Sequence, residues 1–228
     1  MKSILSIFGF CIILSSQLFA QGPFVGPLYS KSTTWLFSKY VSDQGPGMDY
    51  AISGGQSFGI YGGYDVSESF GVQLEMLINK HVQNYRGDDY GISYDSKVDL
   101  RSFDLPILIK LGSPVYFEMG PVFSFLTKGT YTLDVNTYNF MDTTFSVKSD
   151  YKTNIGLAIG FGGDIKLADN LFINLGLRVT PGLVNLGGVD AWGRNKSDLE
   201  FAKDEKAKNL KTSSLAGAVH IGVKYKIE

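Results

Sequence analysis

The chain has 228 residues with 21 basic and 22 acidic side chains, a formal net charge of −1, 44% hydrophobic content and one cysteine. That balance offers no basic patch for a nucleic acid, and a lone cysteine excludes a disulfide framework. Past the N-terminal segment no run reaches the roughly 18 apolar residues that a membrane helix needs, so a bilayer span in this chain has to be built from strands.

Residues 1–20 read as a secretory signal peptide. Lys2 gives the positive start, Ile4 to Leu14 the apolar stretch, and Leu18-Phe19-Ala20 a cleavage site ahead of Gln21. The apolar stretch is too short for a transmembrane anchor. Cys11 lies inside it, and Phe10 before it argues against lipidation, so the mature chain carries no thiol. Loss of Lys2 turns 21 basic and 22 acidic residues into 20 and 22. The remainder, 21–228, reads as one domain.

Within it, apolar and small or polar residues alternate again and again with a period of two, which is the signature of strands with unlike faces. The first strand is expected between Phe24 and Phe37, blurred by Pro23 and Pro27. The second is Gln56 to Val66, with Phe58, Ile60, Tyr64 and Val66 on one face and Tyr61 and Asp65 on the other. The third starts at Phe70 and sets Val72, Leu74, Met76 and Ile78 against Gln73, Glu75 and Asn79, with Leu77 as an apolar exception. The fourth is Val98 to Leu111, with Leu108 a similar exception, and the fifth Val115 to Thr127. The sixth is Tyr151 to Leu167, the seventh Leu171 to Val179, and the eighth Lys211 to Ile227. The links after strands two, four and six are a few residues long, whereas the others are long and polar. The longest are Gly129 to Asp150 and the charged Gly187 to Leu210.

Eight antiparallel strands with an apolar outer face, short turns at one end and long loops at the other predict an all-β transmembrane barrel of the bacterial outer membrane. The 27 glycines, and aromatic residues at 14% of the chain, suit closely packed strands with ring girdles.

The fourth and fifth strands carry Leu105-Pro106-Ile107-Leu108-Ile109-Lys110 and Phe117-Glu118-Met119-Gly120-Pro121, and the seventh carries Asn170 to Arg178. In these runs the chain resembles the Bacteroidetes outer-membrane β-barrel family often called PorT-like. The resemblance implies the barrel fold and an outer-membrane location, in a family that includes secretion-linked members. It implies no substrate.

By the alternation, ionisable groups facing the lumen include Glu75, Asp104, Lys110, Glu118, Lys152, Asp164, Arg178 and His220, with Asp65 and Lys224. An eight-stranded barrel is only wide enough for its own side chains, so these charges are expected to form a paired network that fills the lumen, with Arg178 bonded to at least one carboxylate. A narrow ion path is the alternative. No catalytic residue is assigned: the two histidines, His81 and His220, lie at different levels, and His81 with Asp88 or Asp89 is the one rim constellation open to a lipid hydrolase. No spacing suits a metal, and no cofactor is expected. The expected role is structural, or binding of a protein or glycan partner by the outer loops, with outer-membrane lipid around the wall; a small channel or a secretion-associated barrel is the alternative.

Overall fold

The computed structural model describes residues 22–38, 41, 49–89, 92–135, 143–190, 192–195 and 211–227. The expected signal segment lies outside them. The strands are β1 (Gly22–Ser38), β2 (Asp49–Ala51), β3 (Gly54–Ser67), β4 (Phe70–Asp89), β5 (Ile92–Leu111), β6 (Val115–Val135), β7 (Thr143–Ser146), β8 (Asn154–Ala168), β9 (Leu171–Pro181) and β10 (Thr212–Lys226). Eight long strands pair in the ring β1-β3-β4-β5-β6-β8-β9-β10, and β10 returns to β1 from Phe24↔Lys226 to Ser38↔Thr212. Each of these pairings is antiparallel. Closure leaves no free edge in the ring, so each wall strand has a partner on both sides. The short β2 pairs with β4 beyond the end of β3, and the short β7 pairs with β6 beyond the end of β8, at the long-loop end of the wall.

Three strands run far past the alternation that marked them, for one reason. β4 and β5 continue as a hairpin to Asp89 and Ile92, and β6 runs on to Val135. In these extensions the faces exchange character. Along β5 the inward side is Lys110, Leu108 and Asp104 near the short-turn end but Leu100, Val98 and Tyr94 beyond it, while the outward side changes from Ile109, Ile107 and Phe103 to Arg101, Asp99, Lys97 and Asp95. Apolar out and polar in gives way to the pattern of a soluble protein, as required where a strand leaves lipid for water. The crossing point on β5 lies at Arg101 and Ser102. On β8 the expected Tyr151 start is corrected to Asn154, because Tyr151 makes only an isolated bridge to Gly187.

The outward belt is continuous and apolar. Phe58, Ile78, Phe161, Leu177 and Ile221 are among its exposed residues, at 61%, 70%, 63%, 61% and 48%. Such a surface suits hydrocarbon and not water. Ile221 lies in mid-strand, paired with Tyr29 on one side and Leu175 on the other. Ile221→Arg is therefore expected to destabilise the barrel by about 2–4 kcal/mol, the cost of a cation near the bilayer midplane. Urea unfolding in lipid vesicles measures it, and an unchanged midpoint would mean that Ile221 does not meet lipid.

Candidate functional site

The lumen is organised by Arg178 on β9. Its Nη1 and Nη2 donate to Glu75 Oε2 and Oε1 on β4, each at 2.7 Å, and its Nε donates to Glu118 Oε1 on β6 at 2.7 Å. In the ring, β9 and β4 are four strands apart in either direction, so the Arg178–Glu75 pair crosses the barrel diameter. Both carboxylates are fully buried. The bidentate fork is the strong geometry for such a pair, and it is what makes burial of three charges tolerable. Small residues opposite make room for it. A Cβ at Gly160 would lie 2.8 Å from Glu118 Oε1, and one at Gly162 would overlap the Tyr116 hydroxyl.

From this centre a bonded chain runs to the short-turn end. Gln73 Nε2 donates to Glu75 Oε1 at 2.7 Å, and Lys110 Nζ donates to Gln73 Oε1 at 3.3 Å while standing 3.5 Å over the Tyr116 ring. Asn174 Nδ2 donates to the Tyr116 hydroxyl and to Asp164 Oδ1, both at 2.6 Å. Lys224 Nζ bridges Asp164 Oδ2 at 3.0 Å and Asp65 Oδ2 at 2.9 Å, and Lys226 adds a contact to Asp65 at 3.3 Å. The layer thus contains Arg178, Lys110, Lys224 and Lys226 against Glu75, Glu118, Asp65 and Asp164, so its formal charges balance.

Three residues of the expected network stand apart from this chain. Asp104 lies higher in the lumen, where its Oδ2 accepts from Asn79 Nδ2 at 2.6 Å, and Asn79 also contacts His81 Nε2 at 2.7 Å. His220 is buried with its ring against Gly176, and its Nδ1 has no hydrogen-bond partner among the described residues. Lys152 lies before β8 begins, exposed, in the wall of the upper lumen. His81 points inward at Asn79 and not to the rim, and the side chains of Asp88 and Asp89 are outside the described residues.

Above the charged layer is a cavity of about 120 Å³, with Asn79, Ser102, Asp104, Ser124 and Asn154 in its wall. That is room for about four waters at the roughly 30 Å³ each occupies in the liquid. An apolar cap packs at its long-loop end. Leu36, Tyr85, Val98, Leu100 and Tyr131 from the strands meet Val147, Tyr151, Leu186 and Val189 from the connections. Beside the cap, Asp190 accepts from the backbone N–H groups of Trp192 and Arg194, at 3.0 and 2.9 Å, and Trp192 stacks 4.1 Å from Tyr94. Gln73 was legible only as an inward position, and Tyr116 and Asn174 were not singled out, since neutral groups carry no sign to pair. The cap was not legible as part of a lumen, because its inward residues are apolar. Among the described residues, no three His, Cys, Asp or Glu side chains gather as a metal would require.

A family model for the outer membrane protein beta-barrel domain matches residues 6–226. The chain belongs to that family. It is an integral outer-membrane barrel, and its short turns therefore lie on the periplasmic side and its long loops outside. No curated protein matches the sequence. Among solved structures the chain is similar to Neisserial surface protein A, at 16% identity over 91% of this chain and 99% of that one, with a TM-score of 0.41. It is also similar to OprG of Pseudomonas aeruginosa, at 12% identity over 91% and 96% with a TM-score of 0.47. A major outer membrane protein of Thermus thermophilus gives 14% identity over 89% and 99%, with a TM-score of 0.46.

Arg178→Met leaves two buried carboxylates without their cation and is expected to cost about 3–5 kcal/mol, whereas Glu75→Leu, Glu118→Leu and Arg178→Met together should cost clearly less. Unfolding midpoints in vesicles compare the two. A triple variant less stable than Arg178→Met would contradict this account.

Proposed function

We propose that this barrel, exported by a cleaved signal at residues 1–20, is a non-conducting, non-enzymatic outer-membrane protein of the PorT-like type whose role is structural or carried by binding at its outer loops. The observation that supports closure is the Arg178 fork across the lumen diameter, bonded to Glu75 and Glu118. A hydrated ion would have to displace a buried charge pair and then pass the apolar cap, and each step removes interactions that water in a filled bore does not replace.

The PorT-like reading is supported by how its motif is used. The two runs form the neighbouring strands β5 and β6, in a register that sets Lys110 opposite Glu118. Both of these residues belong to the charged layer. The engagement of His81 by Asn79 inside the lumen favours a polar packing role over catalysis. For loop binding, the support is the Asp190 turn with Trp192 and Arg194, a firm base for the charged segment that follows. A protein or glycan is the expected class of partner.

The purified barrel in planar lipid bilayers is expected to show no steady conductance in salt solution. Steady passage of hydrated ions would replace this reading with that of a small channel.

A further inference from the structure

The outward face of five adjacent strands changes from aromatic to basic along two neighbouring lines. Tyr29, Phe58, Ile78, Phe103 and Phe125, on β1, β3, β4, β5 and β6, are successive register partners, and all are exposed. One outward position further toward the outside, the successive partners are Lys31, Gln56, Lys80, Arg101 and Lys128. On β5, Arg101 is also the point at which the outward face passes from apolar to polar. The basic line therefore borders the lipid belt on its extracellular side.

Lys128 reaches this line because of one extra residue. Ser102 pairs with Leu126 but Arg101 pairs with Lys128, so Thr127 is a bulge, held by its Oγ1 donating to the Arg101 carbonyl at 3.0 Å. With unbroken register Lys128 would oppose Leu100 and turn inward to the apolar cap. The bulge instead sets it beside Arg101, on the lipid side.

The resulting arrangement is unfavourable by itself. Lys80 opposes Arg101, and Arg101 opposes Lys128, and like charges directly across a strand pair repel. One carboxylate answers them: Asp99 stands 3.2 Å from Lys80 Nζ and 3.8 Å from Arg101 Nε. Neither Lys31 nor Lys128 has an ion-pair partner among the described residues.

We infer that Lys80, Arg101 and Lys128, extended by Lys31, form a binding site for the phosphate groups of a phosphorylated lipid in the outer leaflet. Its acyl chains would lie on the row from Tyr29 to Phe125. The planar Arg101 guanidinium suits a phosphate in two-point contact, the flanking lysines supply point charges, and the anion removes the repulsion that the protein leaves uncompensated. Such a site goes beyond the closed-barrel reading and does not depend on whether the lumen conducts.

The test uses the full mature barrel in phosphatidylcholine nanodiscs with and without diphosphorylated lipid A, reading lipid retention by native mass spectrometry and the thermal unfolding midpoint. Wild type should retain lipid A and unfold at a higher temperature with it. In the variant Lys80→Gln/Arg101→Gln/Lys128→Gln retention should fall by about tenfold or more, since charged contacts to phosphate are lost. In phosphatidylcholine alone the same variant should still form the heat-modifiable folded barrel, because the lost Asp99 contacts and the lost repulsion oppose each other. Lys166→Gln, at the periplasmic rim, should change neither reading. Equal retention by the triple variant, equal retention of dephosphorylated lipid A, or the same midpoint shift from inorganic phosphate alone would overturn the proposal. Failure here leaves the conductance result untouched, so the two readings are tested separately.

Discussion

A guanidinium held across the full width of a narrow barrel sets the terms for most of this structure. Arg178 can be buried only because Glu75 and Glu118 reach it from two other strands, and those carboxylates can be buried only because they are reached. The requirement then spreads outward. Glu75 takes a further bond from Gln73, Gln73 anchors Lys110, and Lys110 covers the Tyr116 ring whose hydroxyl accepts from Asn174. Glycines at 160 and 162 clear the space for two of these side chains. The wall residues that look interchangeable in composition are in fact sized to one network.

The interior is not uniformly polar, and its variation follows the solvent outside the wall. Where the strands face lipid, charge and amide groups fill the bore. Where they rise clear of it, Tyr85, Val98 and Tyr131 turn inward and form an ordinary hydrophobic core with the connecting segments. The same strands therefore obey two opposite burial rules, and the change between them occurs within a few residues. Smaller apolar contacts, such as Leu108 with Val122 and Ala158, interrupt the polar part of the bore as well.

Strand number, order and facing were legible because period-two alternation is strongest where one side meets lipid. Phe58 against Tyr61, or Ile221 against His220, could be assigned from sequence alone. Legibility ended where the contrast reversed. Tyr94, Val98 and Tyr131 are apolar on the inner side, so the outer parts of β4, β5 and β6 looked like loop, and Thr127 ended the fifth strand because the bulge shifts every later residue to the other face. The charges at the centre of the lumen could be named but not connected. Facing direction tells which groups share a bore, not which of them meet, and Asp104, His220 and Lys152 lie off the bonded chain for reasons of height that the alternation does not encode.

The separation of the central partners along the chain bears on how the barrel is assembled. Arg178 lies 60 residues from Glu118 and 103 from Glu75, so no hairpin contains both members of either pair. Hairpins formed early present their carboxylates to an unsealed, watery trough in which they stay solvated. Glu118 lies only two strands from β9 on the same wall, but the Arg178–Glu75 contact needs the sheet to curl until β9 stands opposite β4. Burial of this charge pair is thereby coupled to the curvature of the whole sheet, and an open sheet leaves both groups in water.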